Sequence, residues 1–498
     1  MNGHAERVVV FSILEEGAEA TLARMREAPR GCGLVEIRAD HLRAAEVEGM
    51  VRRADRPVIV TARAVRDGGG FDGSEEERRE ILTRALGAGA RFIDVEWGGP
   101  SAHLASRGDP ERVVLSHHGG PCEIAPLLGL FREMGGAFAG RLKIVPRARS
   151  PVDAGAVREI LSVARKAGRV LAAFATGPAG TPTRILAPSW GSWATYGSAS
   201  FGAETGEGQL RAVDLLEVYD VLGVSDATRR FALVGQPVEA SPSPAMHAAG
   251  YRESGIDARY IPVEAQDADE VAPLVGEAGI LGLAGLGVTM PLKERLAERA
   301  SLEDPCARSA RAVNTVLAGE SRWLGYNTDG PAALTLLGRE IDLAETRVAV
   351  VGAGGTARAI AASLVAAGGH VTFFNRDRRR AERAAEEIGG KADRLEALRS
   401  AEWDILVQAT PLGREGEDVL APSRLCGRVV LDVLYGPEPT PLVRAARRRG
   451  LSVVDGFSLL VEQAALQFEI LTGRRPSRGV LEAAGRRWLL DRRAARVQ

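Results

Sequence analysis

Lysine is almost missing from this chain. Of 64 basic residues among 498, four are lysine (Lys143, Lys166, Lys293 and Lys391) and 60 are arginine. Exposed lysine exchanges for arginine at little cost. A site that needs an amine with a movable proton cannot make that exchange, because a guanidinium does not lose its proton in a protein. Each surviving lysine is therefore worth inspecting. Cysteine is also sparse: Cys32, Cys122, Cys306 and Cys426 are scattered, with no CxxC pair. That pattern excludes a disulfide framework, implies no metal site, and fits a reducing cytoplasm. No apolar run reaches the ~18 residues needed to span a bilayer. The start, MNGHAERVVVFSIL, passes from a short polar tail into a strand-like segment. It lacks a signal-peptide cleavage pattern and transit-peptide composition, so a cytoplasmic protein is expected. Formal net charge is −1, with no polybasic field and no acidic tail. Neither nucleic acid nor membrane is an expected partner.

A chain of 498 residues predicts two to four domains. In the first half, apolar runs recur at 8–14, 34–38, 57–63, 91–97, 113–118, 141–145 and 169–175, with a weaker one at 193–197. Stretches of helical character, such as 74–86 and 153–167, lie between most of them. Strands alternating with helices imply a parallel sheet, and seven or eight such units imply an α/β fold closed as a (β/α)8 barrel over 1–225. Glu36, Arg38, Arg63, Glu96, His118 and Lys143 fall at or near the C-terminal ends of these runs, where a barrel gathers its active site. Lys143 lies inside the run RLKIVP. An ammonium buried there is costly, which favours the neutral, nucleophilic amine used in Schiff-base catalysis. His118, on the preceding strand, would stand beside it as a base.

The segment 215–230 reads as a helix followed by a short hinge. A two-lobed second half follows: a lobe over 229–340, a Rossmann-like doubly wound unit over 341–455, and closing helices over 456–498. The strand 347–351 runs into Gly352-Ala-Gly354-Gly355-Thr356-Ala357, a GxGxxA turn that lets the backbone approach a pyrophosphate at a helix N-terminus. About twenty residues on, the next strand ends in Asn375 and Arg376, with Arg380 close behind. An acidic residue at that strand end would favour NAD. The basic set suits a 2′-phosphate, hence NADP, although Asp377 adds a negative charge.

The motifs GQPVEASPSPAMH, GVTMPLK, AVNT, YNTDG, GAGGTA, ATPLG, DVLY and LLVEQA, in this order, resemble shikimate dehydrogenase over about 231–498. The resemblance implies that Ser241 and Ser243 hold the substrate carboxylate and that Thr289, Asn314 and Gln463 bind ring hydroxyls. It places Tyr435 near nicotinamide and substrate, Gly456 among the cofactor contacts, and Lys293 with Asp329 as the catalytic pair. Gly287 stands where that family has asparagine, and Ala240 where it has histidine.

The first half resembles type I 3-dehydroquinate dehydratase over about 7–215. The matching pieces are Glu36-x-Arg38-x-Asp40, the TAR ending at Arg63, Asp94-Val-Glu96, the SHH ending at His118, Lys143, Thr183-Arg184, the ATYG around Tyr196, and Gly208-Gln209. By resemblance Lys143 forms the imine and His118 is the general acid/base. Glu36, Arg38, Arg63, Arg184 and Gln209 hold the substrate, together with Ser12. Asp67 replaces the family's glutamate, Gly119 follows the histidine in place of Asp or Asn, and Phe174-Ala-Thr176 replaces a Met-rich strand. Together the halves imply a bifunctional enzyme. It would dehydrate 3-dehydroquinate to 3-dehydroshikimate and reduce that to shikimate with NADPH, as a monomer or homodimer. Two alternatives stand beside this reading. In one the second half prefers quinate; in the other the chain is a ligand-sensing regulator built from the same folds.

Overall fold

The computed structural model describes residues 6–107, 109–414, 416–417, 421 and 424–497. The chain divides into two units, one built on Met1–Thr228 and the other on Arg229–Tyr260 and Gln266–Ala494. No described helix is long and apolar enough to cross a membrane.

Among the described residues the first unit carries eight strands: β1 (Val8–Ile13), β2 (Cys32–Arg38), β3 (Val58–Thr61), β4 (Phe92–Glu96), β5 (Val113–Pro121), β6 (Arg141–Arg147), β7 (Leu171–Ala173) and β8 (Ala194–Ser198). They pair in parallel in the order β7-β6-β5-β4-β3-β2-β1-β8. Trp193 N, just before β8, donates to Leu171 O on β7 at 3.2 Å, which leaves the barrel nearly closed. Such strands are buried on both faces and read as unbroken apolar runs. The outer helices have local signals of their own. In Glu75–Ala88, Ser74 Oγ accepts from Glu77 N at 3.2 Å while the Glu77 carboxylate accepts from Ser74 N at 2.8 Å, a reciprocal cap. Gly89 ends that helix at φ 106°, a conformation that costs glycine little. The helix Ala154–Lys166 buries Val157, Ile160, Leu161 and Ala164, the spacing of one helical face.

Two local expectations differ from the fold. The helix expected from residue 215 covers Ala212–Glu217, and Asp220 then turns the chain at φ 40° before the next strand. Lys143 is the third residue of β6 and lies within the barrel wall rather than at its rim.

The second unit has two sheets. The first contains β9 (Arg229–Gly235), β10 (Ala258–Glu264), β11 (Leu283–Val288), β12 (Ala300–Leu302), β13 (Thr315–Ala318) and β14 (Trp323–Tyr326), in the order β10-β9-β11-β13-β14-β12. The second contains β15 (Arg347–Val351), β16 (His370–Asn375), β17 (Lys391–Arg394), β18 (Ile405–Gln408), β19 (Val429–Asp432) and β20 (Ser452–Val454). Its strands are all parallel, in the order β17-β16-β15-β18-β19-β20. The order reverses beside β15, and the glycine turn leaves the sheet there, at the crevice where open α/β sheets bind ligands. The helix Gly456–Thr472 returns to the first sheet, where Phe468 and Leu471 pack on Phe231, Tyr251 and Tyr260.

Candidate active sites

In the barrel, parallel register sets Lys143 beside Ser116 on β5. Its Nζ donates to Asp94 Oδ2 at 3.0 Å, lies 3.7 Å from Glu36 Oε1, and stands 4.0 Å from the centre of the Tyr196 ring. The ammonium is thus held by two carboxylates instead of being stranded among apolar side chains. Burial pushes the Asp94 carboxyl up, but Lys143, Arg63 and the Ser116 hydroxyl outweigh it and hold Asp94 below the usual range. Glu36 is fixed from both sides: Ser12 Oγ donates to it at 2.5 Å and Thr61 Oγ1 at 2.9 Å.

His118 faces Arg63, whose Nη1 contacts the ring at Nδ1. A guanidinium only donates, so Nδ1 is the accepting nitrogen and the ring proton sits on Nε2. Burial, then the positive charges of Arg63, Lys143 and Arg38, push His118 well below its ordinary value, so the ring is neutral. Asp67 pairs with Arg66 at 3.4 Å, and no hydrogen bond links it to His118 among the described residues. Gly119 and Gly120 both have left-handed backbones, at φ 91° and 77°, where the register of β5 shifts. A side chain at position 119 would therefore be strained.

Of the other expected substrate residues, Ser12, Arg38 and Gln209 meet at Thr205, and Arg184 bonds Glu207. Arg38 forms a paired bond with Asp40 and donates to Thr205 O at 3.3 Å. Gln209 Oε1 accepts from Thr205 N at 2.7 Å, and Ser12 Oγ lies 2.9 Å from Thr205 Oγ1. Arg184 donates to Glu207 O at 3.2 Å, and burial lowers its guanidinium to about 10. Sequence reasoning gave no role to Asp94 or Thr205. Thr205 lies four residues before Gln209, and that spacing was the only signal for it.

The second site lies within the second unit. Lys293 Nζ donates to Asp329 Oδ2 at 2.5 Å and to Thr356 Oγ1 at 2.8 Å. Asn314 Nδ2 reaches Asp329 Oδ1 and Thr328 Oγ1, each at 2.8 Å, and Gln463 Oε1 at 3.3 Å. Five of the expected residues, Lys293, Asp329, Thr356, Asn314 and Gln463, thus form one connected cluster. Ser241 Oγ donates to Ser243 Oγ at 3.0 Å, and Tyr435 is exposed. Thr289 is fixed by its backbone N–H on Val234 O at 2.9 Å.

The glycine turn fits a dinucleotide. Gly352 has φ 110°, and a Cβ there would stand 2.9 Å from Ala409 O. The helix Gly355–Ala366 presents its N-terminus at the turn, where backbone N–H groups and the helix dipole favour phosphate. A Cβ at Gly355 would meet Lys293 Cβ at 2.9 Å, so that glycine admits the helix that carries Lys293. Ala357 is fully buried under the turn. Gly456 opens its helix where a Cβ would fall 2.3 Å from Leu434 O. Asn375 is half-buried at the end of β16, and Arg376 and Arg380 are exposed beyond it. Asp377 accepts from Arg380 N at 3.2 Å, so its carboxylate caps the following helix. Lys166 and Lys391 are exposed, away from both clusters.

Comparison with known proteins gives a match for each part. Residues 9–226 match the family model described as type I 3-dehydroquinase. Residues 233–316 match the shikimate dehydrogenase substrate binding domain, 335–413 match shikimate / quinate 5-dehydrogenase, and 456–484 match the shikimate 5′-dehydrogenase C-terminal domain. The chloroplastic bifunctional 3-dehydroquinate dehydratase/shikimate dehydrogenase of Arabidopsis thaliana is 29% identical over 480 residues, covering 89% of this chain and 78% of that protein. A shikimate dehydrogenase (NADP(+)) of Anaeromyxobacter sp. is 37% identical over 276 residues, covering 52% of this chain and 97% of its own. A solved shikimate 5-dehydrogenase from Thermus thermophilus, in complex with NADP(H) and shikimate, is 36% identical with a TM-score of 0.48, covering 53% of this chain and all of that one.

Proposed function

The chain belongs to the shikimate dehydrogenase family and carries a type I 3-dehydroquinase domain ahead of it, and on that premise we propose how its own residues perform the two reactions. It dehydrates 3-dehydroquinate to 3-dehydroshikimate and reduces that product to shikimate. The observation that carries the first assignment is Lys143, an amine set between Asp94 and Glu36 on the barrel wall.

Lys143 reacts as the free amine, oriented by Asp94 and Glu36, and adds to the C3 carbonyl. Loss of water leaves a protonated imine, which acidifies the C2 protons. His118 takes one of them. Because its accepting nitrogen faces Arg63, the base is released when Arg63 turns to the substrate. Binding and base activation are thereby linked. The same imidazolium then protonates the departing C1 hydroxyl. Water hydrolyses the imine, restoring the amine of Lys143. Thr205 holds Ser12, Arg38 and Gln209 in place around the substrate.

In the second unit the cofactor is NADP, and when bound it supplies a hydride to the C3 carbonyl. The alkoxide formed needs a proton. Lys293 has three N–H donors, of which Asp329 and Thr356 take two. The third is free for the carbonyl oxygen, where it polarises the ground state and then delivers the proton. Asn314 and Gln463 hold ring hydroxyls, Thr289 assists them, and Ser241 with Ser243 takes the carboxylate, with Tyr435 beside them. Retention of both serines favours shikimate over quinate, which carries one more hydroxyl. Arg376 and Arg380, with Asn375, receive the 2′-phosphate. We place the enzyme in the cytoplasm, as a monomer or homodimer acting on small molecules, with a barrel over 1–225, a substrate lobe over 229–340, a nucleotide domain over 341–455 and closing helices over 456–498.

Borohydride added during turnover of 3-dehydroquinate should fix a label on Lys143, read by peptide mass mapping. A label on another lysine, or none, refutes the imine assignment. A coupled assay with 3-dehydroquinate and NADPH should yield shikimate. Equal kcat/KM for quinate and shikimate would overturn the choice of substrate.

A further inference from the structure

Two consecutive residues tie the helix Leu292–Ala297 to the dinucleotide site. Lys293 reaches Thr356 in the glycine turn. Glu294 reaches past it: its Oε1 lies 3.2 Å from Arg380 Nη2. That guanidinium hangs over the same turn, 3.8 Å from where a Cβ on Gly354 would stand. Arg380 is also one of the cations offered to the 2′-phosphate, the group that distinguishes NADP from NAD. A carboxylate therefore occupies the arginine on which that distinction depends.

The pair is built to exchange. The Arg380 and Glu294 side chains are 49% and 43% exposed, and ion pairs in such settings are weak and readily replaced. A phosphate monoester carries nearly two negative charges near neutrality, and its oxygens match a guanidinium fork. It outcompetes a single carboxylate for Arg380. Glu294 lines a cavity of about 490 Å³ together with Arg308, Arg311 and Arg383, so its carboxylate stays in cationic surroundings once Arg380 is taken.

We infer that Glu294 is a specificity-determining residue: it competes with the 2′-phosphate for Arg380 and so sets the margin by which this chain prefers NADP to NAD. The inference rests on the reading of Arg380 as a 2′-phosphate ligand. With NAD there is no phosphate to displace Glu294, and the pair persists.

Calorimetric titration of the full chain tests this without turnover. The ligands are NADP+, NAD+, 2′,5′-ADP and 5′-AMP; the proteins are wild type, Glu294→Gln, Arg380→Ala and the double variant. Glu294→Gln should bind NADP+ and 2′,5′-ADP about three- to tenfold more tightly, with NAD+ and 5′-AMP unchanged. The gain should shrink as salt is raised, because both groups are exposed. It should vanish in the Arg380→Ala background. An unchanged or weaker NADP+ affinity in Glu294→Gln overturns the inference, as does an equal gain for NAD+ or a gain that survives loss of Arg380. The failure of the underlying reading looks different. In that case wild type binds NADP+ no better than NAD+, and Arg380→Ala weakens neither.

Discussion

Alanine at Gly287 should damage the second unit in a way that a change at Tyr260 relieves. Gly287 lies on β11, and a Cβ there would stand 1.8 Å from Tyr260 Oη and 2.8 Å from Gln467 Oε1. Normal van der Waals separation would require the hydroxyl to retreat by roughly 1.5 Å. Tyr260 has nowhere to go. It is 2% exposed and stacks on His247 with centroids 3.9 Å apart and planes 4° apart. Its hydroxyl donates to Gln467 Oε1 at 2.7 Å, and Gln467 Nε2 in turn donates to Asn314 O at 2.9 Å and to Thr315 Oγ1 at 3.1 Å. The added methyl therefore pushes on a chain of contacts that ends at a proposed substrate ligand.

Overpacking a filled core costs about 1–3 kcal/mol. Breaking the buried Tyr260–Gln467 bond adds about 1–2 kcal/mol. Gly287→Ala should thus lose about 2–5 kcal/mol, lowering the melting temperature of the second unit by roughly 5–15 °C. Scanning calorimetry of the full chain measures it. Dehydratase activity serves as an internal control, because the barrel is untouched. Tyr260→Phe removes the clashing oxygen, so the double variant should cost at least about 1 kcal/mol less than the sum of the singles. A Gly287→Ala protein within about 0.5 kcal/mol of wild type, or strictly additive singles, refutes the packing argument. The same geometry accounts for the departure from the family motif: the volume asparagine would fill is taken by the tyrosine hydroxyl.

Two further outcomes follow from the same region. Burial lowers His247 to about 3, whereas in the unfolded chain it titrates near 6.5. The unfolded state alone gains that proton as pH falls, so this contribution is full above about 6.5 and fades toward 3, on the order of 5 kcal/mol in all. Denaturation midpoints of His247→Phe should therefore fall less steeply than wild type between those limits, and parallel curves would contradict this. Thr356→Val should lower kcat for reduction about tenfold and shift its pH profile, because the Lys293 ammonium loses a charge-assisted bond. Thr356→Ser should restore both, and a changed KM for NADPH alone would speak against a positioning role.

Much of the fold was legible because parallel strands are buried on both faces. Val113-Val114-Leu115 on β5 and Val348-Ala349-Val350-Val351 on β15 read as continuous apolar runs, and each stands in its sheet. In the segment read as a helix followed by a short hinge, the apolar pattern of LLEVYDVLG would let the helix run past Glu217, where it ends. The left-handed Asp220 ends that possibility, and side-chain periodicity carries no record of one backbone angle. Site residues were legible where the chemistry demanded a rare residue, as at Lys143 and Lys293. Of their partners, Asp329 and Glu36 were legible through the family motifs, whereas Asp94 had no role assigned. Asp94 is embedded in an apolar strand and reads as structure until register sets Ser116 and Lys143 beside it. Glu294 meets Arg380 across 86 residues, and Tyr260 meets Gln467 across 207. Such pairs are decided by how helices and sheets pack, which no local pattern encodes.

The scarcity of lysine gains a physical meaning from the two clusters. At 143, arginine would still satisfy Asp94 and Glu36, but a guanidinium cannot add to a ketone and lose water to form an imine. At 293, on the proposed mechanism, arginine would still pair with Asp329 and hydrogen-bond a carbonyl oxygen, yet it would not give up the proton that the alkoxide needs. Both sites could keep their charge and their contacts while losing their chemistry. Pairing with a carboxylate therefore cannot be what retains these amines, since among the described residues most ion pairs are made by arginine and lysine makes only those at 143 and 293. Lys166 and Lys391 are exposed and outside both clusters, so scarcity admits residues without a role as well. What separates the two kinds is enclosure: Lys143 is 3% exposed against the face of Tyr196, and the Lys293 side chain 15% exposed between Asp329 and Thr356. A rare residue that is also enclosed by its partners marks the chemistry, and neither property does so alone.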